Sequence, residues 1–429
     1  MAALRFPHAA VASPHYLASS AGLAVLTSGG NAVDAAIAVN LALAVLYPHM
    51  CGLGGDLIAM VWNDGELSGL FSTGALPVGT QHVDKVPRTG IGSATVPGCV
   101  AGWRALRDRY GTRPLEELAR PAIRYAREGV HRAPGFARIT SLLRPLLERD
   151  SEATRIYLGP EPLIQAELSA TIDHLGDFED YVGSLAPAPF TRQDFRDHEA
   201  EWVEPARRDW MGVQVCEMPP HSRGHLVLDA LDRLEPLDGL TPADADWHQR
   251  LIHAHGPPGM PGDTIYLCVR DENGMSVSLS QSLKDAFGSG VVIPGTGVLL
   301  QNRGADFTPK TYLPSAKVPQ HTLAPAMVLR DGLPLLIFGS MGGPSQTQIH
   351  LQLLSRILVA GEDIADAIAA PRWRLNPGSL IADPGLPEID AQSAPGPDML
   401  GHAHAIRVES GGALWAASDP RSDGAALGY

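Results

Sequence analysis

Two strand-like runs in the middle of the chain constrain the fold more than any other feature. Residues 264–270 (TIYLCVR) and 275–282 (MSVSLSQS) have a period of two, are rich in β-branched residues, and are separated by DENG. An Asn-Gly pair between such runs is typical of an antiparallel hairpin. Pairing Arg270 with Met275 places Thr264 beside Gln281 and Ser282, to within one register step. The sequence therefore predicts an antiparallel sheet in which Thr264 and Ser282 are neighbours.

The chain changes character at residue 264. Before it, Asn31 can cap a helix over residues 32–46, a GLGG turn precedes a buried strand over residues 57–62, and residues 236–263 are proline-rich and loop-like. Other helices are expected within residues 104–150, within 151–200 and from about residue 224. After residue 264 we expect strands at 297–300, 326–329 and 335–338, and helices at 345–360 and 363–370.

The composition is that of an ordinary globular protein. The 429 residues are 45% apolar and 19% charged, which is enough chain for one large core or two ordinary ones. The best candidate for a membrane span, residues 35–46, is shorter than the roughly 18 residues that cross a bilayer. The N-terminus lacks the basic stretch and apolar core of a signal peptide. We therefore expect a cytoplasmic protein with no membrane partner.

Charge and cysteine spacing exclude two further classes. The formal net charge is −14 and no dense run of Lys and Arg occurs, so nucleic acid is not expected as a partner. The four cysteines lie far apart and form no CxxC pair. We expect buried thiols rather than a zinc ribbon or a redox pair at Cys51, Cys99, Cys216 and Cys268.

Most familiar catalytic and cofactor motifs are absent. The chain has no GxSxG elbow, no HExxH pair and no P-loop, and the GLGG turn lacks the following helix that a nucleotide-binding loop needs. His248, His253 and His255 have two interpretations, a metal site or surface histidines of a proline-rich loop. The lack of a carboxylate at ligand spacing favours the second. We expect neither a metal nor a cofactor.

Thr264 has a structural and a chemical interpretation. A β-branched residue is ordinary at the start of a strand. However, a small polar pair, Gly262 and Asp263, precedes Thr264, and a buried strand follows it. A threonine in this setting can attack the Asp263 carbonyl, form an ester that water opens, and become a new N-terminus. Its freed α-amine, with a pKa of about 8, can then act as the base for its own hydroxyl.

The FGSMGGPS segment also has two interpretations. Gly342 and Gly343 follow a strand and precede a helix, which is typical of a tight turn that needs positive φ. The same two residues can supply a pair of backbone N–H groups that stabilise an oxyanion in acyl transfer. The N-terminus of a helix near Ser345 would strengthen that effect.

At this point several blocks match one family in the same order. They are SGGNAVDAAIAVNLALAVLYP, CGLGGDLIAMVW, ATVPGCVAGW, GDTIYLCVRDENGMSVSLSQS, FGSG, GVLLQNRGADF, HTLAPAM, GSMGG and ASDPRSDGAALGY. Along almost its whole length the chain resembles γ-glutamyltransferases and their bacterial hydrolase relatives, which are N-terminal nucleophile hydrolases. The GDT, QNRG and HTLAP segments are similar to those of the cytosolic branch of that family.

The resemblance implies a fold and a processing event. The fold would be α+β, a four-layer αββα sandwich of the N-terminal nucleophile type. One precursor would be cleaved after Asp263 into a large-chain part, residues 1–263, and a small-chain part, residues 264–429. Together these two parts would form a single domain.

The resemblance also implies roles for individual residues. It places the nucleophile on Thr264 and a hydroxyl that orients it on Ser282. It places the oxyanion amides on Gly342 and Gly343, and a carboxylate that holds the substrate amine on Asp306.

Departures from the family pattern indicate that different residues bind the substrate here. The arginine that holds the glutamyl carboxylate has no counterpart in LFSTGALPVGT, and His321 and Thr322 replace a pair of serines in the same task. Lys284 replaces an asparagine and Arg303 a glutamine. Either these two cations bind a substrate carboxylate from a new direction, or they are exposed to solvent. Only HGPPGMPGD separates the preceding helix from Thr264, so self-cleavage is an open question.

The first functional hypothesis is an amide hydrolase. It would hydrolyse a small amide or acylated amino acid, or transfer its acyl group, through an acyl-enzyme on Thr264, with hydrolysis favoured over transfer and standard glutathione disfavoured. One alternative is a family relative that cleaves a C–C bond next to a carbonyl in a biosynthetic pathway. Another is an uncleaved, non-catalytic homologue with a binding role. The partners would be the small-molecule substrate and the two parts of the precursor, and a homo-oligomer is left open.

Overall fold

A computed structural model describes residues 3–80, 86–256, 263–306, 321–387, 389–394 and 396–429. The strands are β1 Leu4–Phe6, β2 Ala10–Ser13, β3 Asp56–Asn63, β4 Glu66–Ser72, β5 Glu201–Val203, β6 Ala206–Trp210, β7 Val213–Glu217, β8 Asp263–Arg270, β9 Ser276–Lys284, β10 Val292–Ile293, β11 Val298–Leu299, β12 Ala326–Arg330, β13 Leu333–Ser340, β14 Trp373–Asn376, β15 Ser379–Ala382, β16 Gln392–Ser393, β17 Ala403–Val408, β18 Leu414–Ser418 and β19 Ala425–Gly428.

The α-helices are α1 Tyr16–Thr27, α2 Ala32–Leu46, α3 Cys99–Tyr110, α4 Leu115–Leu118, α5 Arg120–Glu128, α6 Pro134–Leu142, α7 Arg144–Leu147, α8 Ser151–Tyr157, α9 Ala166–Ile172, α10 Phe178–Leu185, α11 Arg192–Arg196, α12 His225–Arg233, α13 Ala245–His255, α14 Gln346–Leu354 and α15 Ile364–Ala369. A π-helical turn, Ser355–Val359, extends α14. Short 3-10 turns lie at Val78–Thr80, Ile91–Ser93, Arg303–Asp306, Gly343–Ser345 and Pro397–Leu400.

Two seven-stranded sheets form the centre of the molecule. The first sheet has the strand order β19-β2-β8-β9-β3-β4-β5, and the second has the order β1-β18-β17-β13-β12-β7-β6. Every pairing within these two sheets is antiparallel. The first sheet combines strands from both sides of residue 264. β2 lies between β19 and β8, and β3 lies next to β9.

An apolar layer joins the two sheets face to face. Tyr266 and Cys268 of β8 pack there with Met327 of β12 and Ile337 of β13. The sheets approach closely at Gly339, where a Cβ would lie 2.4 Å from the Tyr266 ring. Because side chains alternate along a strand, the even-numbered positions of β8 face the second sheet.

Helices cover the outer face of each sheet. The odd-numbered apolar residues of β8 pack in one cluster with α2, which is buried along its whole length. Asn31 caps α2 as predicted: its side chain accepts the Asp34 N–H at 2.9 Å, and the Asp34 carboxylate accepts the Asn31 N–H at 3.1 Å. Helices α12 to α15 pack on the outer face of the second sheet. The predicted four-layer αββα sandwich is therefore confirmed.

The central hairpin forms with a register one step from the prediction. Arg270 pairs with Ser276 rather than with Met275. The difference arises in the turn, where the Asp271 N–H donates to the Met275 carbonyl and the Asp271 side chain accepts from the Asn273 and Met275 N–H groups. The turn is therefore longer than a two-residue Asn-Gly turn.

The loop predicted over residues 236–263 is wrong in part, because α13 occupies Ala245–His255. Trp247, Leu251 and Ala254 recur at helical spacing and are buried in the cluster that α13 forms with α12 and α14. The prolines that suggested a loop flank this helix. His248 and His255 are buried rather than on the surface, whereas His253 is exposed. Residues 257–262 of the predicted loop lie outside the described part of the chain.

Two smaller expectations can be checked. All four cysteines are buried and form no disulfide, as predicted. No helix within the described ranges combines the length and the apolar character that crossing a bilayer requires.

Buried histidines make the fold sensitive to acid. His404 donates or accepts a hydrogen bond with the Ser418 hydroxyl at 3.0 Å, and burial lowers its pKa from 6.5 to about 3. The unfolded chain therefore takes up this proton at a higher pH than the folded chain does. Stability contributed by neutral His404 is complete above pH 6.5 and is lost progressively as the pH falls toward the folded pKa.

We predict that His404→Asn reduces the loss of unfolding free energy between pH 7 and pH 5 by about 2 kcal/mol relative to the wild type. Urea unfolding at both pH values measures this difference, which removes any constant cost of the substitution. The exposed His253, replaced in the same way, is the control and should leave the pH dependence unchanged. An equal pH dependence in all three proteins would contradict the prediction.

Candidate active site

Thr264 lies buried at a bulge between β8 and β9. Asp263 pairs with Lys284 and Ile265 pairs with Gln281, so two residues of β9, at positions 282 and 283, oppose Thr264 alone. Bulges of this kind re-aim a side chain. The structure thus places Ser282 opposite Thr264, as the hairpin register predicts.

Ser282 connects Thr264 to the next strand of the sheet. Its backbone pairs with Asp56 of β3, and its hydroxyl accepts the Lys284 N–H at 2.7 Å. Residues paired across an antiparallel sheet share one face. Ser282 and Asp56 therefore lie in one row, with Thr264 beside them, at the edge of the layer between the sheets.

Gly342 and Gly343 form the turn that leads from β13 to α14. Both have positive φ, +134° and +54°, a conformation in which other residues are strained. The preceding Met341 N–H donates to the His402 carbonyl at 2.8 Å, which anchors the turn to the strand region of β17. The structural interpretation of these glycines is correct, and the same turn brings their N–H groups to the start of α14.

Gln346, the first residue of α14, links this turn to Thr264. Its Nε2 donates to Thr264 Oγ1 at 3.2 Å, and its Oε1 accepts the Ala324 N–H at 3.1 Å. The second bond fixes the amide orientation, because a backbone N–H needs an acceptor. The Thr264 oxygen thus receives a hydrogen bond and keeps its own proton to donate. Gln346 was not predicted from the sequence, although its place just after the glycine pair was a usable signal.

Asp56, also missed, is buried and well supplied with hydrogen bonds. One carboxylate oxygen accepts the Gly74 N–H at 3.0 Å and the Gln301 side-chain N–H at 2.8 Å, and the other faces His321 Nε2 at 3.2 Å. His321 Nδ1 accepts the Leu323 N–H at 3.2 Å. The proton of His321 therefore sits on Nε2 and points at Asp56.

His321 is neutral at ordinary pH. Burial and the positive charge of Arg303 lower its pKa to about 4, against the opposing effect of Asp56. Because both ring nitrogens are engaged, a substrate would have to displace one of these bonds to reach the imidazole. The substrate-binding roles of His321 and of its nearly buried neighbour Thr322 stay predictions.

Lys284, Arg303 and Asp306 form one ionic cluster, in which the two cations are buried and Asp306 is half-buried. Lys284 Nζ lies 3.2 Å from Asp306 Oδ1, and Arg303 Nη1 lies 3.0 Å from Asp306 Oδ2. The two cations are only 3% and 1% exposed, so the interpretation as solvent-exposed residues is wrong for both. Lys284 also has a left-handed backbone, with φ +77°, a strained conformation that tends to occur at functional sites.

The metal interpretation of the three histidines gains no support. His248 Nε2 lies 2.9 Å from the Pro242 carbonyl, and His255 Nε2 lies 2.7 Å from the Thr347 hydroxyl. Within the described ranges, no group of three His, Cys, Asp or Glu side chains is arranged to hold a metal ion.

Comparison with known proteins gives a consistent result over the whole chain. A family model described as gamma-glutamyltranspeptidase matches residues 18–255 and 240–429. The chain is 33% identical to a glutathione hydrolase-like YwrD proenzyme of Bacillus subtilis, covering 97% of this chain and 98% of the relative. It is 31% identical to an oxamate amidohydrolase proenzyme of Klebsiella pneumoniae, covering 98% of each.

A solved structure shares the fold along the full length. Cephalosporin acylase from Bacillus halodurans is 27% identical and superposes with a TM-score of 0.92, covering 100% of this chain and 97% of that one. The alignment with the Bacillus subtilis relative extends over 516 positions although this chain has 429 residues. That relative therefore carries insertions that are absent here.

The Asp56–His321 pair generates a test of the site's architecture. We predict that His321→Ala lowers the free energy of unfolding by about 2–3 kcal/mol, because a buried carboxylate oxygen loses its donor. His321→Gln, which keeps a side-chain N–H, should lose less. The neighbouring Thr322→Ala should cost about 1 kcal/mol, an average value for a point substitution. Urea unfolding at pH 7 measures all three, and equal losses would show that the pair has no special importance.

Proposed function

Because the chain belongs to the gamma-glutamyltranspeptidase family, whose members are N-terminal nucleophile amidohydrolases and acyltransferases, we propose that Thr264 cleaves its own precursor and then hydrolyses a small amide. The observation that carries this proposal is the hydrogen bond from Gln346 to the buried Thr264 hydroxyl. This hydrogen bond connects Thr264, the proposed nucleophile, to the helix that follows the Gly342–Gly343 turn. That turn would stabilise the oxyanion.

Self-cleavage would begin from the uncleaved chain. Thr264 Oγ1 attacks the Asp263 carbonyl carbon, a C–O bond forms, the peptide C–N bond breaks, and the hydroxyl proton ends on the departing nitrogen. Water then opens the ester, leaving a carboxylate on Asp263 and a free α-amine and hydroxyl on Thr264. The Gln346 amide holds the attacking oxygen, and the Ser282 hydroxyl opposite supports its position.

Turnover would use the same oxygen. The α-amine of Thr264 accepts the hydroxyl proton and delivers it to the leaving amine, while Oγ1 forms an ester with the acyl group of the substrate. The Gly342 and Gly343 N–H groups would donate to the negative oxygen of the intermediate, an effect worth a few kcal/mol. Water finally releases the acid and regenerates Thr264.

The two products of cleavage would stay together as one domain. β2 of the N-terminal part pairs with β8, and β3 pairs with β9, across the proposed cleavage point. Separating residues 1–263 from 264–429 would therefore break the centre of the first sheet. This supports the proposal that the two parts form a single catalytic unit.

The substrate proposed is a small amide or acylated amino acid other than standard glutathione. The relatives named above include a glutathione hydrolase-like protein, an oxamate amidohydrolase and a cephalosporin acylase, so the family accommodates several acyl groups. The glutamyl-binding arginine and serine pair are missing here, which argues against the glutathione acyl group. We favour hydrolysis over transfer.

We predict that freshly purified wild-type protein gives two masses under denaturing conditions, the smaller chain beginning at Thr264. Thr264→Ala should give one uncut chain, because no hydroxyl is available. Thr264→Ser, which keeps the hydroxyl, should still be cut. Intact mass spectrometry measures this, and an uncut wild-type chain would overturn the proposal in favour of a non-catalytic homologue.

We predict that Gln346→Leu slows self-cleavage about tenfold, the rate change that corresponds to losing one hydrogen bond. Gln348→Leu is the matched control. Gln348 is equally buried on α14, but its amide bonds the Leu375 backbone at 2.7 and 3.0 Å. The control should lose stability and be cut at the wild-type rate. The time course of the uncut band after expression measures both rates, and equal slowing would remove the specific role of Gln346.

A further inference from the structure

The ionic cluster beside Thr264 holds more positive than negative charge. Lys284 pairs with Asp306 and also with Asp285, at 3.1 Å from the second carboxylate. Asp285 is itself paired with Arg88 at 3.2 Å, and Asp306 is shared with Arg303. Three cations thus share two carboxylates. Among the described residues of the cluster, one positive charge is not matched by a carboxylate.

Part of the Arg303 guanidinium is not hydrogen-bonded within the described ranges. Its side chain is buried, and its Nη1 is bound to Asp306, but Nε and Nη2 have no hydrogen-bond partner within the described ranges. These two N–H groups form the side edge of the guanidinium, the edge that binds a carboxylate through two parallel hydrogen bonds. A buried charged donor without a partner is costly, so this edge is suited to a ligand.

Two sets of contacts connect the cluster to the residues of the proposed cleavage point, Asp263 and Thr264. Lys284 pairs in register with Asp263, the residue on the acyl side of the proposed cleavage point. Arg303 acts electrostatically on His321, which is bonded to Asp56, and Asp56 pairs with Ser282. These contacts connect Arg303 to Ser282, the residue opposite Thr264, through His321 and Asp56.

The same cluster disfavours an ammonium group. The resemblance implied that Asp306 holds the amine of the substrate, yet here one oxygen of Asp306 faces Lys284 and the other faces Arg303. Arg223 adds a further positive charge in its vicinity. An incoming ammonium would have to compete with two resident cations for one carboxylate.

We infer that Arg303, supported by Lys284, binds a carboxylate at the far end of the acyl group, so that the preferred substrates are monoamides of short dicarboxylic acids without an α-ammonium group. This inference rests on the proposed function of Thr264 and specifies its substrate class. The site would thus bind an anion where the family pattern holds an amine.

Three anilides that differ by one group test the inference on the cleaved enzyme. Glutaryl anilide carries the carboxylate, γ-glutamyl anilide adds an ammonium to it, and butanoyl anilide lacks both. We expect kcat/KM for glutaryl anilide to be about 100-fold higher than for butanoyl anilide. It should also be at least about tenfold higher than for γ-glutamyl anilide. Comparable values for the three substrates would overturn the inference.

Substitutions locate the effect. Arg303→Gln should reduce the glutaryl-to-butanoyl ratio about 100-fold, mainly through KM, and Arg303→Lys, which keeps the charge and loses the two-bond edge, should reduce it about tenfold. Arg356→Gln is the control, because Arg356, on the π-helical turn that extends α14, is also largely buried, at 10% exposed, but pairs with Glu362. Its ratio should be that of the wild type. An unchanged ratio in both Arg303 variants would overturn the inference, and Arg303→Lys serves if Arg303→Gln does not fold.

A binding measurement separates this inference from the proposed function. Glutarate and glutamate, which contain no amide bond to hydrolyse, are titrated by calorimetry into the wild-type protein and into Arg303→Lys. Glutarate should bind at least about tenfold more tightly than glutamate, and Arg303→Lys should abolish the difference. If no anilide is hydrolysed but this pattern appears, the nucleophile proposal fails and the anion site stands. If glutarate does not bind, or binds equally to both proteins, the anion site fails.

Discussion

The antiparallel pairing of β8 with β9, and of β9 with β3, determines where every polar group of the site lies. Side chains alternate along a strand, so a slip of one residue would turn Ser282 and Asp56 from the layer between the sheets to the helical layer. The buried α2 on one face and the inter-sheet core around Tyr266 on the other oppose such a slip, because it would remove Val277 and Leu279 from the α2 cluster and the Ser278 hydroxyl from Tyr266. The chemistry of the site is thus specified by apolar packing on both faces of one sheet.

Several buried polar groups around Asp56 hydrogen-bond one another. Asp56 takes hydrogen bonds from a backbone N–H, an amide and an imidazole, and His321 stays neutral because burial and Arg303 both oppose its protonation. Such a network resists rearrangement, since breaking any bond leaves a buried group unpaired. Against this background Arg303 stands out, because part of its guanidinium is not engaged by any described residue. A buried charged donor with an unengaged edge, rather than the charge alone, marks Arg303 as a place for a ligand.

The sequence was sufficient where the contacts are local. The hairpin, the cap at Asn31 and the extent of α2 follow from neighbouring residues, and the αββα sandwich follows from the family blocks. The register was one step off because the Asp271 side chain enlarges the turn. Helix α13 was hidden by flanking prolines, and part of its packing is on α14, which is distant in sequence.

Non-local contacts explain what else was missed. Gln346 and Thr264 are hydrogen-bonded although they lie 82 positions apart in the sequence, and His321 and Asp56 lie 265 positions apart. No local sequence pattern predicts either pair. The burial of Lys284 was undecided from sequence for the same reason, because its partner Asp306 lies on a separate turn. The roles of Thr264, Ser282, Gly342 and Gly343 rest on the resemblance and stay predictions, although the structure brings these residues to one place.

The positions of the outermost strands bear on when this protein can fold. β1 pairs with β18, and β2 pairs with β19 as well as with β8, so both sheets are complete only once residues 414–428 are in place. Contacts of such long sequence separation form late and slowly. A ribosome must therefore release nearly the entire chain before either sheet is complete. If the bulge at Thr264 must be rigid for the peptide bond to be attacked, nascent and prematurely terminated chains would remain intact, and processing would report that synthesis had finished.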